Sequence, residues 1–174
     1  SWDRADFDAL TDSESALFTI DFTLETGSGP TPQQVTLKID GINDAPVLAD
    51  DMRSIGEGFS FTVDPSRGVL SNDKDPEGLD LSVVAVNGSA LLVNQAIQGL
   101  YGQLTVLADG AYSYQAAALS ALDPSETALD RFTITVSDGV HSSDSVLDIS
   151  VDGTINIVTG SGSADVLVAP PGRT

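Results

Sequence analysis

The sequence predicts an all-β fold, a Greek-key β-sandwich present as a tandem repeat with one partial and one complete copy. Three observations carry this. Apolar and polar residues alternate with period two in short runs. Turn residues separate those runs. And the chain matches itself after a shift of 112 residues.

The elements can be justified in order. Residues 17–25 and 34–40 alternate as two strands, and further strands are expected at 57–63 and 79–86. Leu104-Thr-Val106 and Tyr112-Ser-Tyr114 flank a turn at Ala108-Asp109-Gly110, which reads as a hairpin. A second hairpin joins Phe132-Thr-Ile134-Thr-Val136 to Leu147-Asp-Ile149-Ser-Val151 through Ser137-Asp-Gly-Val140. Strand faces alternate, so Phe132, Ile134 and Val136 should point inward, with Thr133 and Thr135 outward. Only Ala116 to Leu122 reads as helical, and it stops before Asp123-Pro124. Roughly seven short strands per hundred residues, with turns between them, describe two facing sheets in a Greek key.

Composition narrows the function. The chain has 174 residues, 41% of them hydrophobic, which is enough for a real core. No cysteine is present, so a disulfide scaffold, a Cys-ligated metal and a Cys nucleophile are excluded. The single histidine, His141, excludes a His-rich metal centre and sits at a hairpin tip with no paired acid in sequence. Seven basic residues stand against 26 acidic ones, for a net charge of -19. Nucleic acid and anionic membrane surfaces both need clustered Lys and Arg, so neither is an expected partner. No apolar run reaches the length of a membrane span, so no insertion is expected either. The acids are 21 Asp and 5 Glu, a bias towards turns and loop ends. Short carboxylates crowded there repel one another, and divalent cations relieve that cost. Carboxylate pairs for glycosidase chemistry exist, but nothing marks a cleft and the chain is 6% aromatic, so no enzyme is expected.

The repeat sets the organisation. Ala9-Leu10 falls on Ala121-Leu122, and Ser13-Glu14-Ser15-Ala16-Leu17 on Ser125-Glu126-Thr127-Ala128-Leu129. Asp40-Gly41 falls on Asp152-Gly153. Ile20, Phe22 and Leu24 match Phe132, Ile134 and Val136, while Val35, Leu37 and Ile39 match Leu147, Ile149 and Val151. A period of this length is a whole domain rather than a solenoid unit. Residues 1–46 then read as the back half of one repeat, 47–154 as a complete repeat, and 155–174 as a Gly-Ser-Pro tail. Ser1 corresponds to Ser113 and Trp2 to Tyr114, both of these aromatics reading as core or corner residues. A lone hairpin is marginal in water. Its face of Phe18, Ile20, Phe22 and Leu24, with Val35, Leu37 and Ile39, is expected to be covered by a neighbouring molecule. Ile155-Asn-Ile157-Val158 and the run Val166 to Ala169 are the expected donors.

Two acidic loops stand out. One is Asp40-Gly-Ile-Asn43-Asp44-Ala-Pro46, followed by Asp50-Asp51. The other is Asn72-Asp73-Lys74-Asp75-Pro76-Glu77-Gly78-Leu79-Asp80. Ca²⁺ takes about six to eight oxygens at flexible spacing, and Asn72, Asp73, Asp75, Glu77 and Asp80 could supply much of such a shell. The spacing is not that of an EF-hand.

The same residues carry a resemblance. Val35 to Asp40 followed by Gly41-Ile-Asn43-Asp44-Ala45-Pro46 resembles the ending of VCBS-type and bacterial cadherin-like repeats, where a last strand runs into an Asn-Asp-Ala-Pro linker. Gly68 to Leu81, with Asn72-Asp73-Lys-Asp75-Pro76, resembles an internal segment of that family. So do the hairpin Gly102 to Tyr114 and the strand Phe132 to Gly139, and together the motifs span nearly all of residues 9–154. The resemblance implies an Ig-like, cadherin-like sandwich from a large secreted adhesin, often of the repeats-in-toxin class exported by type I secretion. It implies Ca²⁺ at the junctions between repeats, stiffening a rod at the bacterial cell surface that serves cell adhesion and biofilm. The positions it assigns to the metal are Glu57, Asp73, Asp75, Asn43 and Asp44, beside Glu77 and Asp80. The second linker, Asp152-Gly-Thr-Ile-Asn156, departs from the pattern by lacking Asp-Ala-Pro. Gly160-Ser-Gly162-Ser-Ala-Asp165-Val-Leu167 resembles the opening of a Gly-rich calcium repeat. The expected partners are neighbouring repeats of the same chain, and other copies by strand exchange. The rival functions are a self-assembling extracellular filament subunit completed by strand donation, and a sugar- or protein-binding module.

Overall fold

Strand follows strand in this computed structural model, which describes residues 10–118 and 122–153. Strands β1 (Ser15–Thr26) and β2 (Gly29–Asp40) form a two-stranded antiparallel ribbon of their own. A linker of residues 41–50 then leads into eight more strands. These are β3 (Asp51–Gly56), β4 (Ser60–Val63), β5 (Ser82–Val86), β6 (Ala96–Gln98), β7 (Gly102–Val106), β8 (Tyr112–Ala116), β9 (Thr127–Ser137) and β10 (Ser142–Asp152). They make two four-stranded sheets, ordered β3-β10-β9-β5 and β4-β8-β7-β6. All neighbours are antiparallel except β3, which runs parallel to β10 with Asp51 opposite Leu147 and Gly56 opposite Asp152.

The core forms where the inward residues of the two sheets meet. Val83, Val86, Phe132, Ile134, Val136, Leu147, Ile149 and Val151 come from one sheet, and Val63, Ile97, Leu104, Val106, Tyr112 and Tyr114 from the other. The alternation on β9 is as expected: Phe132, Ile134 and Val136 are buried, and Thr133 and Thr135 are only half-buried. The turn at 108–110 is a tight one in which Gly110 takes φ +84, a conformation costly for any residue with a Cβ.

Three expectations need adjusting. The strand expected at 57–63 is shorter, β4, and follows a turn at Gly58 with φ +76. A strand not expected, β3, precedes that turn because its backbone pairs with β10 rather than because of its own pattern. Ala116 is not helical: it is buried at the end of β8, where its N–H donates to Phe59 O. Residues 119–121 of the expected helix lie outside the described residues, as do the tail segments expected to donate strands.

The two long hairpins have the same register. β1 pairs Ser15 with Asp40 and Phe18 with Leu37, and β9 pairs Thr127 with Asp152 and Asp130 with Ile149. Adding 112 to the first set gives the second. The turns that open and close them also match. Glu14 Oε2 accepts the Thr11 N–H and Gly41 N–H donates to Glu14 O, as Glu126 Oε2 accepts from Asp123 and Gly153 N–H donates to Glu126 O.

Candidate functional site

The linker docks on one end of the sandwich. Lys74 and Val47 exchange backbone hydrogen bonds of 2.8 and 3.0 Å, which draws the 71–80 loop against the linker. Ser143 Oγ donates to Pro46 O at 2.8 Å, which ties the start of β10 to the same place.

Asn43 joins three segments at this end. Its N–H donates to Asp12 Oδ1 at 2.7 Å, from the turn before β1. Its Nδ2 donates to Asp138 Oδ2 at 2.9 Å, from the β9–β10 turn, and to Asp44 O at 3.0 Å. Asn43 is only 4% exposed. The Asp44 N–H donates to Glu77 Oε2 at 3.2 Å. The Ala49 N–H donates to Asp73 Oδ1 at 2.9 Å. Asp75 folds its own loop: Oδ1 accepts from the N–H groups of Glu77 and Leu79 at 3.1 and 2.9 Å. This is the usual Asx-turn use of a short carboxylate, and it leaves the second oxygen free of that duty.

Four oxygens here are buried and take no hydrogen bond: Asn43 Oδ1, Asp73 Oδ2, Asp75 Oδ2 and Glu77 Oε1. A buried acceptor without a donor is costly, on the order of 1–3 kcal/mol each. Oxygen-only donors of this kind are the chemistry that Ca²⁺ takes. Among the described residues, no three His, Asp or Glu stand close enough together to cage a metal by themselves. The donor type and the orphaned atoms fit a hard cation; a closed carboxylate cage is not what this end presents.

The electrostatics point the same way. Burial pushes the Asp51 carboxyl up to about 6, with Asp73 and Asp50 beside it adding to the rise, and the Asn72 amide and Arg53 pulling back. Burial also raises Asp73, against the Ala49 N–H that lowers it. For Asp138 burial acts upwards, but the N–H groups of Val140 and His141 and the Asn43 amide hold it below its usual range.

Of the residues expected at a metal, Asn43, Asp44, Asp73, Asp75 and Glu77 come together here. Asp80 is exposed. Glu57 is a correction. It follows the last residue of β3, and its N–H donates to Asp152 O at 2.9 Å, at the opposite end of the sandwich. Six residues of β3 separate the two ends, about 20 Å at the rise of an extended strand. Sequence reasoning passed over Asp12, read Asp138 only as part of a hairpin connection, and treated Asp51 only as part of an acidic run.

Two facing four-stranded sheets with a linker docked on one end define a class, the Ig-like Greek-key sandwich module. Within it the chain belongs to the bacterial cadherin-like domain family, whose model matches residues 43–153. That family is non-enzymatic. No curated protein matches the sequence. Among solved structures, the chain is similar to mouse clustered PcdhgC3 (EC1-3), at 16% identity and a TM-score of 0.38 over 87% of this chain and 46% of that one. It is similar to a protocadherin gammaB7 (EC3-6) cis-dimer, at 16% identity and a TM-score of 0.44 over 87% of this chain and 34% of that one. It is also similar to an endo-fucoidan hydrolase of glycoside hydrolase family 107, at 21% identity and a TM-score of 0.34, covering 85% of this chain and 21% of the hydrolase. This chain thus spans less than half the length of each of these structures. No helix among the described residues is long and apolar enough to cross a membrane.

Proposed function

We propose that this chain is a structural extender of a bacterial extracellular adhesin, stiffened by Ca²⁺ at the linker between repeats. Residues 1–46 are then the back half of one repeat and 47–154 a complete one, within a secreted protein of the repeats-in-toxin, VCBS-bearing kind that serves adhesion and biofilm. Type I secretion would be its route to the cell surface.

The observation that carries the reading is the set of four buried, unpartnered oxygens on Asn43, Asp73, Asp75 and Glu77. These residues would hold the ion, with Asp44 beside them, and the ion would supply the positive charge the acidic linker lacks. Glu57 is left out of this set because its backbone pairs with Asp152, and Asp80 because it is exposed. Asn43 already ties Asp12 to Asp138. A cation on its free Oδ1 would fix the linker further and limit bending between the β1–β2 hairpin and the sandwich.

Thermal melts in Ca²⁺ and in EDTA test this. Extracellular modules bind with dissociation constants on the order of 10⁻⁴ to 10⁻³ M. Ca²⁺ at about 100 times that constant should add roughly 2.7 kcal/mol of stability. Asp75→Ala should abolish the increment. A melting temperature indifferent to EDTA, in both the parent and Asp75→Ala, sinks the proposal.

A further inference from the structure

We infer that β9 carries an open pairing edge at residues 127–131, and that this edge binds an extended, non-acidic peptide by strand addition. The site uses none of the linker residues, so it is independent of the cation reading.

β5 stops short of the full length of β9. It pairs with β9 only from Ser137 to Ile134, while β10 follows the other side of β9 down to Thr127. The chain leaves β5 at Asn87 and Gly88, with φ 48 and 75, and Val86 and Ser89 exchange backbone bonds across them. Positive φ at both central residues is the geometry of a tight two-residue hairpin turn. Asn87 closes the ladder as it turns away. Its N–H donates to Thr133 O at 2.8 Å, and its side-chain Oδ1 accepts the Thr133 N–H at 3.0 Å. Both main-chain groups of Thr133 therefore face the β5 side. Alternate residues of an antiparallel strand face the same neighbour. The N–H and C=O groups of Arg131, Leu129 and Thr127 thus face that side too. β5 no longer runs there to meet them, and among the described residues no other backbone group does.

A groove lies along the same edge. It has a volume of about 350 Å³ and is lined by Asn87, Gln98, Gly99 and Leu100 besides Leu129 and Arg131 of β9. Leu100 is 81% exposed and Leu129 46%. The charges beside it are already paired. Asp130 accepts from the N–H groups of Leu100 and Tyr101 and from Tyr114 OH. Arg131 makes two bonds of 2.8 Å to Asp148, which draws its side chain towards β10 and away from the open edge. Exposed edges are usually guarded by proline, lysine or a bulge; residues 127–131 hold no proline and no lysine.

The groove therefore offers a ligand main-chain donors and acceptors together with two leucines. An added strand matches this, with its backbone on the edge and alternate apolar side chains on the leucines. A sugar matches it less well, because the Gln98 amide is spent on Gly99 O and Gly102 O and the Asn87 oxygen on Thr133. The net charge of -19 sets the sign: it repels an acidic peptide and attracts one with lysine ends.

The test titrates the full isotope-labelled chain with the capped peptide Lys-Thr-Ile-Thr-Ile-Thr-Lys at millimolar concentration and follows the amide resonances. Thr127, Leu129 and Arg131 should shift, and their N–H protons should exchange more slowly with water. A copy of the peptide N-methylated at every residue between the lysines cannot pair along either edge. It should bind at least about 10-fold more weakly, through loss of its main-chain bonds. Leu129→Pro removes one N–H from the open edge and none from the ladder to β10, and should weaken binding by a similar factor. If that variant does not fold, the methylated peptide decides alone. The inference is overturned if the peptide leaves 127–131 unshifted, or if the methylated copy binds equally well. It is overturned too if glutamates in place of the lysines bind as tightly, or if maltohexaose at the same concentration produces the same shifts.

Discussion

The hairpin β1–β2 and the hairpin β9–β10 share register, apolar positions and the contacts at their entry and exit, yet one face is open and the other is sealed. The difference separates two kinds of information. Pairing is local: alternation and a two-stranded ladder need only the hairpin's own residues. Burial is not local, because a sheet face becomes core only when another sheet lies on it. Identical strand chemistry therefore has very different energetic weight in the two places.

The largest test of that contrast is a matched pair of truncations. Ile134→Ala should cost about 2–5 kcal/mol in urea unfolding, as buried large-to-small changes do. Its counterpart Phe22→Ala should cost within about 0.5 kcal/mol, as surface changes do. Equal costs would mean that the β1–β2 face is covered in solution.

Next in size is the cross-sheet tie. Tyr114→Phe removes the hydroxyl that Asp130 accepts, while the N–H groups of Leu100 and Tyr101 remain on that carboxylate. The expected loss is about 1.5–3 kcal/mol, the range for hydrogen bonds to charged groups. A neutral result would show that this pair does not hold the sheets together. Burial, with Asp130 adding to it, holds the Tyr114 hydroxyl well above the usual tyrosine range, so the loss should be the same at pH 6 and pH 9.

Smaller still is the shared turn device. Glu126→Ala frees the Asp123 N–H at the entrance to β9 and should lower the main transition by about 0.5–1.5 kcal/mol. Glu14→Ala breaks the same bond before β1 and should leave that transition where it was, because β1–β2 is not part of the unit that unfolds.

The last test concerns pH, in the presence of EDTA. Asp51 has a folded value of about 6 against an ordinary 3.8, so the folded state holds its proton more tightly than the unfolded chain. The unfolded chain then binds fewer protons in this window, and the contribution to stability falls as pH rises from about 4 to 6. Asp51→Asn should flatten that slope. A steeper slope in the variant would reverse the sign argued here.

Much of the fold was readable because alternation on β1, β2, β9 and β10 is strong. β3 escaped notice because Asp51-Met-Arg-Ser-Ile55-Gly56 buries little more than Ile55; a parallel partner 96 residues away makes it a strand. Ala116 to Ala118 read as helix on propensity alone, but the neighbouring strands decide otherwise. At the linker, Asn43, Asp44, Asp73, Asp75 and Glu77 were legible from spacing and resemblance together. Glu57 was misplaced because the direction of β3, which carries it away from the linker, is set by pairing rather than by local sequence. Asp12 and Asp138 were hidden for the opposite reason, since an Asp in a turn explains itself without a second role.

The parallel pairing of β3 with β10 has a mechanical meaning. The chain enters the sandwich at Asp51 and leaves it at Asp152, at opposite ends of two adjacent strands. A pull on the chain at those two points draws β3 and β10 past each other lengthwise. Their bonds are then loaded together in shear, rather than peeled open one after another from an end. In this sandwich the strand that admits the chain and the strand that releases it form its clamp against tension.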